Sequence, residues 1–412
     1  MTSVPLFITK KEFFYTLFVV ALLFFSSLSY EFYKYKKVTT YSLHVTDAKV
    51  LKYYPKKNKN DKVYHVLKLK SQDFTFYTVS WKDRNLTRGD TVKIGFFTNK
   101  IDFINYLKGF YATTKFLHVK NKYKQNSLIS FVENQHKNEL AKELYSALYF
   151  ATPISKKLRE NISQWGIAHL VAISGFHLGI LSGILFFLLK PLYTFFQDKY
   201  FPYRNSYADL AFIVFVILGT YTYFIDMTPS VLRAYVMSII GFLLFSRNIK
   251  IISFGTLFIT VCAILILFPK LMFSIAFLFS VAGVFYIFLF LYHFSGLNKA
   301  LVFILLHFWV YLLMLPIVHY VFDVFSLYQL FSPLLSMFFI VFYPLSLALH
   351  VIQFGDIFDH FLSWFFSLHV EVNSISTPFW FLGCYIVSSL VAIRVRLIAI
   401  FLPLLALILF FI

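Results

Sequence analysis

Residues 166–183 are GIAHLVAISGFHLGILSG. Two histidines eight residues apart, His169 and His177, with Ser174 between them, stand among small and apolar residues in a run that stays uncharged to residue 189. A run of this length spans a hydrocarbon core of ~30 Å at a helical rise of ~1.5 Å per residue. The stretch therefore opens a membrane helix, and polar side chains at that depth are rarely free of function. Gly175, Gly179 and Gly183 recur every four residues and on a helix make one smooth face, suited to close packing by another backbone.

Nine further nearly uncharged runs lie on either side: residues 13–30, 208–224, 231–245, 251–268, 271–292, 301–321, 329–350, 379–393 and 397–412. With 59% apolar residues, 14% charged residues and 55 Phe among 412 positions, they cannot all be hidden in a soluble globule. The sequence predicts a polytopic α-helical membrane protein with about nine or ten transmembrane helices. Several runs are short enough to be broken, re-entrant or tilted. The first run follows Lys10 and Lys11 and has an apolar core longer than that of a signal peptide, so residues 1–37 read as a retained anchor.

Between residues 38 and 125 the apolar runs give way to short alternating stretches, at 41–52, 62–70, 74–80, 91–97 and 111–119, with Gly89-Asp90 among the turns and a short helix at 102–108. Five strands with a late helix predict a small all-β domain of the OB type, a barrel that binds single strands through a basic groove and aromatic platforms. Lys52, Tyr54, Lys68, Lys70, Phe76, Tyr77 and Trp81 are the candidate contacts, against the plainer reading that an aromatic on a strand is core. The basic excess is concentrated there: residues 31–160 hold 26 Lys+Arg against 11 Asp+Glu, and residues 161–412 hold 10 against 7. Such an excess points to a polyanion or to anionic lipid. Residues 126–165 read as amphipathic linking helices, broken at Pro153 and resumed over 155–163.

The second informative stretch is DMTPSVLRAYVM, residues 226–237. Arg233 lies about one turn beyond Pro229, and an unpaired guanidinium in lipid costs several kcal/mol. With Thr228 and Ser230 it would make a phosphate-handling mouth at a helix N-terminus. A salt bridge to Asp226 or Asp209 is the competing account. Cys262 and Cys384 form no disulfide or metal framework, and there is no phosphate-loop motif, no paired acid and His at metalloprotease spacing and no Gly-x-Ser-x-Gly elbow. No metal and no cofactor are expected.

The run AHLVAISGFHLG resembles the signature of the ComEC family of competence proteins, close to His-Leu-Leu-Ala-Ile-Ser-Gly-Leu-His-Val-Gly. Pro229-Ser230-Val231-Leu232-Arg233-Ala234 with Met237 resembles the family's second block, and Pro269 with the following SIAFLFSVAGV resembles a third, departing from it at the Gly and Gln. The resemblance implies an inner-membrane channel that passes one DNA strand during natural transformation, with residues 166–412 as the channel domain. It implies that His169, Ser174, Gly175, His177, Gly179, Ser230 and Arg233 line the DNA path. Implied partners are single-stranded DNA, membrane lipid, a periplasmic DNA-binding competence protein and a separate motor or nuclease. Larger family members carry a C-terminal metallo-β-lactamase-type domain whose motif is not found here, so the chain resembles a short, non-enzymatic form.

Lys10 and Lys11 predict a cytoplasmic N-terminus and place the β domain outside. Arg394 and Arg396 should lie inside, yet ten simple spans put them outside. Residues 351–377, with Asp356, Asp359, His360, Trp364, His369 and Glu371, hold the discrepancy as an interfacial or re-entrant segment. Two other functions compete with the channel. One is a small-anion transporter using His169, His177 and Arg233, and the other is a membrane enzyme built on Ser174 and His177.

Overall fold

The structure, a computed structural model, describes residue 6 and residues 9–408 except 59–60, 124–125, 226 and 369–370, and it leaves out the side chains of 229 and 230. The chain divides into two compact units: Thr9–Asn126 with Cys262–Ser274, and Ser127–Val261 with Ile275–Ile412.

The first unit begins with helix α1, Lys10–Thr39, capped by Thr9, whose hydroxyl accepts from the Glu12 N–H at 3.2 Å. Strands follow at β1 Leu43–Lys57, β2 Val63–Lys70, β3 Thr75–Ser80 and β4 Thr91–Phe97, then helix α2 Phe103–Lys108, then β5 Phe110–Tyr111 and β6 Thr114–Asn121. The strand expected at 111–119 is thus split in two by Ala112 and Thr113. The split has a geometric purpose. The sheet order is β5-β3-β2-β1-β4-β6, so its two ends are consecutive pieces of one segment, one parallel to β3 and the other antiparallel to β4. The Ala112 N–H donates to the Tyr77 carbonyl at 2.9 Å, and Thr78 and Thr114 share a hydrogen bond, which closes the sheet into a barrel.

Alternation along the strands fills the interior with Val50, Leu67, Leu69, Phe76, Val92, Ile94, Phe96 and Leu117, and α2 plugs one end with Tyr106 and Leu107. Gly89 has a φ of 96°, which admits the tight turn into Asp90. The buried Asp90 carboxylate accepts from the Thr87 N–H at 2.8 Å, the Thr87 hydroxyl at 3.0 Å and the Tyr123 N–H at 2.7 Å. Burial opposes its ionisation, but these bonds and Lys122 outweigh burial and hold its pKa below the usual carboxylate value. A depressed folded pKa gives stability that is present above the unfolded pKa of about 3.9 and lost as pH falls through the folded value. Asp90→Asn is therefore expected to lower barrel stability at neutral pH and to flatten its acid limb, read as the pH profile of amide protection over residues 43–121.

Also in this unit, the Ser27 hydroxyl of α1 donates to the Ile266 carbonyl at 2.6 Å. Lys270 in a 3-10 turn, Pro269–Phe273, meets Glu31 at 2.9 Å.

The second unit is helical. The amphipathic segment forms α3 Ser127–Glu133, α4 Glu139–Phe150 and α5 Lys156–Gln164, with a break at 134–138 that the sequence did not announce. Then come α6 Ala168–Val171, α7 Gly175–Tyr200, α8 Ser206–Phe224, α9 Pro229–Ser246 and α10 Phe254–Leu267, the last reaching into the first unit. The remainder is α11 Ile275–Phe294, α12 Lys299–His319, β7 Val324–Phe325, α13 Ser332–Val351, α14 Asp359–Ser367, β8 Asn373–Ser374, α15 Phe379–Val391 and α16 Arg396–Leu407.

Each of the ten predicted apolar runs carries a helix, but among the described residues only six helices are long and apolar enough to cross a membrane: Lys10–Thr39, Gly175–Tyr200, Ser206–Phe224, Ile275–Phe294, Lys299–His319 and Leu327–Val351. The other four cover shorter stretches, Val231–Ser246, Phe254–Leu267, Phe379–Val391 and Arg396–Leu407. Six of the nine or ten expected spans therefore reach a spanning length among the described residues; α9 measures 18 residues when Pro229 and Ser230 are included, and the run at 397–412 continues outside the described residues. Residues 351–377 form a 3-10 turn at Gly355–Phe358 followed by α14, whose Leu362 and Phe365 are buried while Phe361 and Trp364 are exposed. His369 lies outside the described residues.

Candidate functional site

In the helical unit the quoted stretch is not one continuous helix. α6 ends at Val171, the backbone extends through Ala172 and Ser174, and α7 starts afresh at Gly175 with Ser174 as its N-cap. This puts His177 at the third helical position, where the Ser174 N–H donates to its Nδ1 at 3.2 Å, as a Glu or Gln would accept in a capping box. The ring is fully buried, edge-on to Tyr343 at 4.6 Å and to Phe339 at 5.4 Å between centroids. Ser174 Oγ also lies 3.2 Å from Nδ1. A nitrogen that already accepts a backbone N–H is a helix-capping group, which weighs against Ser174 and His177 as nucleophile and base.

His169 is placed differently. It is exposed on the short helix α6, with Nδ1 at 3.1 Å from the Gly166 carbonyl and Nε2 at 3.2 Å from Ser336 Oγ on α13. His307 of α12 lies within electrostatic range. Gly175 and Gly179 are exposed on α7, and a Cβ at Gly179 or Gly183 would meet nothing within 4 Å. The glycine face was expected to pack against another backbone. It is instead an open wall at Gly179 and Gly183, with Gly175 alone near a neighbour, Ala234, at 3.6 Å.

Arg233 on α9 is buried at 5% exposure, its guanidinium carbon 6.0 Å from the ring centre of Phe277 on α11. Of the two carboxylates considered as its partner, Asp209 is held by Arg204 at 2.6 Å and 2.7 Å and by Tyr193. Asp226 lies outside the described residues, and so does the Ser230 side chain. The unit thus brings His169 to Ser336, with His307 in electrostatic range, leaves Gly175 and Gly179 exposed at the start of α7, and buries His177 and Arg233. Ser336 and His307 had no sequence signal, since neither stands in a motif: Ser332, Ser346 and His350 share the run of Ser336, and His319 shares that of His307.

The barrel offers a second surface. Strand register aligns Lys52 with Lys68, Lys68 with Tyr77 and Tyr77 with Tyr111, so one row of two lysines and two tyrosines crosses four strands. Tyr77 and Tyr111 are 37% and 58% exposed, and Lys68 Nζ sits 5.3 Å from the centre of the Tyr77 ring. Two residues along each strand on the same face come Lys70, Tyr54 and, beyond Val79, the exposed Trp81, whose ring lies 5.7 Å from that of Tyr64. Six of the seven candidates therefore share one outer face. Phe76 does not: successive strand side chains alternate, and Phe76, at 0% exposure, belongs to the core and is removed from the set. Tyr111 takes its place.

Among the described residues no cluster of three or more His, Cys, Asp or Glu is placed to hold a metal ion. The family model for competence protein matches residues 151–412. No curated protein and no solved structure matches the chain.

Proposed function

Because the chain belongs to the ComEC family of competence proteins, whose role is in DNA uptake during transformation, we propose that it conducts single-stranded DNA across the cytoplasmic membrane. The observation that carries this reading is the Lys52–Lys68–Tyr77–Tyr111 row. It pairs phosphate-neutralising charge with ring faces on one accessible surface, the combination that holds single strands without reading sequence. The barrel closes as a small OB-like sheet and gathers the strand on the outer side of the membrane. The six long apolar helices span the bilayer, with the N-terminus in the cytoplasm. The exposed His169 with Ser336, and the open glycine face of α7 at Gly179 and Gly183, supply the wall that the strand passes, and the polar side chains replace part of its lost hydration.

In this scheme the chain is a conduit and not an enzyme. A periplasmic DNA-binding competence protein delivers the DNA, and a separate motor or nuclease supplies work and removes the second strand. A strain lacking the protein is expected to accumulate labelled DNA outside the cytoplasmic membrane while cytoplasmic entry stops, because a channel acts after capture. Undiminished cytoplasmic entry would overturn the proposal.

A further inference from the structure

The break between α3 and α4 places His136 in a buried chain of hydrogen bonds. Its Nδ1 lies 2.8 Å from Asp359 Oδ1 at the start of α14, and its Nε2 lies 2.9 Å from Nε2 of His350 near the end of α13. His350 Nδ1 lies 2.6 Å from the Ser346 carbonyl one turn back. Both imidazoles are nearly inaccessible, at 4% and 3% exposure, and the Tyr145 ring stacks on His136 at 4.6 Å. The Tyr149 hydroxyl donates to Ser346 Oγ at 2.8 Å. Gln135 ties the same corner, donating to the His350 carbonyl at 3.1 Å and accepting from the Gly355 N–H at 3.0 Å.

These distances fix a proton count. The Ser346 carbonyl can only accept, so His350 Nδ1 carries a hydrogen. One proton must lie between the two Nε2 atoms and one between Asp359 and His136 Nδ1, which makes three. A carboxylate and two neutral imidazoles carry only two. The complete network therefore holds one extra proton and is electrically neutral, as Asp⁻ with one imidazolium or as a protonated Asp with two neutral rings. Removal of that proton leaves two lone pairs facing each other. A further proton either makes both rings cationic and sets two N–H groups head to head across 2.9 Å, or goes to Asp359 Oδ2 and discharges the carboxylate that balances the imidazolium, and both weaken the network.

We propose that Asp359, His136 and His350 form a buried site for a single proton, whose occupancy clamps α3 and α4 onto α13 and α14. The other groups facing the site are Asp356, which acts on Asp359 from the 3-10 turn, the Lys137 backbone N–H, Tyr145 and Tyr149 of α4, and Glu133 one layer away on Ser146. None of these supplies a counter-cation, so the extra proton is the neutralising charge. Burial pushes the Asp359 carboxyl above its ordinary pKa despite the opposing pull of His136, in keeping with a proton held in that pair. Asp359, whose side chain is 16% exposed, is the entry point from solvent.

The test uses the full chain in lipid nanodiscs, with amide protection of residues 127–150 referenced to intrinsic exchange at each pH. The wild type is expected to give a bell-shaped profile with at least about tenfold loss on each side of its maximum, the tenfold standing for one contact of about 1.4 kcal/mol. Asp359→Asn separates proton binding from structure. Its amide can donate to His136 Nδ1, after which both imidazoles stay neutral and all three bonds persist without the extra proton. That variant is expected to keep the acid limb and lose the alkaline one. An alkaline limb unchanged in Asp359→Asn would overturn the proposal. If the variant does not accumulate, the wild type decides alone, since a flat profile is incompatible with the site.

Discussion

Truncating Phe76 to alanine is expected to cost the barrel about 3–5 kcal/mol, while Tyr77→Ala, one residue on, leaves stability within about 0.5 kcal/mol. The ring of Phe76 is fully buried, stacked at 5.6 Å on Phe110 and 4.7 Å from Phe96, so alanine leaves a cavity that the closed sheet cannot collapse around. Tyr77 points outward beside Lys68. Its removal is expected to weaken single-stranded DNA binding by about 1–3 kcal/mol, the usual worth of one base-stacking platform. Replacing Lys52, Lys68 and Lys70 together by glutamine should lower the salt slope by about 2, at ~0.7 per phosphate contact on a single strand. Denaturant unfolding and binding titrations of the detergent-solubilised chain measure both. If Tyr77→Ala binds DNA as the wild type does and the lysine variant keeps its salt slope, the row is not the DNA surface.

The same pair of residues shows what the sequence could and could not convey. In FTFYTVS the period of two is plain, but two adjacent aromatics leave its phase open, and only the closed sheet decides which one is inside. The split at Ala112 and Thr113 was hidden for a related reason, since closure of a sheet is a long-range property. The apolar runs were legible because lipid-soluble composition is local. Their bounds were close as well: the runs at 231–245 and 251–268 became α9, which ends just before Asn248 takes a positive φ of 56°, and α10, which stops before Pro269. Ser174 and His177 at a spacing of three did carry a usable signal, the pattern of a capping box with His in the acceptor position, which separates His177 from the exposed His169. The break at 134–138 contains neither Gly nor Pro; Asn138, which accepts from the Leu140 N–H at 2.8 Å, is a local cap that restarts the helix, while the tertiary bonds of Gln135 and His136 are long-range.

Replacement of Arg233 by glutamine is expected to reduce DNA entry into the cytoplasm by roughly 10- to 100-fold, the worth of one charged hydrogen bond at 1.5–3 kcal/mol. The side chain leaves α9 one turn beyond its N-terminus and lies buried beside Phe277, a low-dielectric position in which a fixed positive charge acts strongly on a passing phosphate. Lysine keeps the charge and loses the planar fork, so Arg233→Lys should retain part of the entry that Arg233→Gln removes. A buried guanidinium can also matter through packing, and the two causes separate in the readout. If its role is structural, the glutamine variant falls in membrane level and melting temperature along with transport. If the charge serves the strand, the variant accumulates and melts as the wild type does while labelled DNA stays outside. A lysine variant as inactive as the glutamine one, with both proteins present and stable, would assign the effect to the fork geometry of the guanidinium and not to its charge.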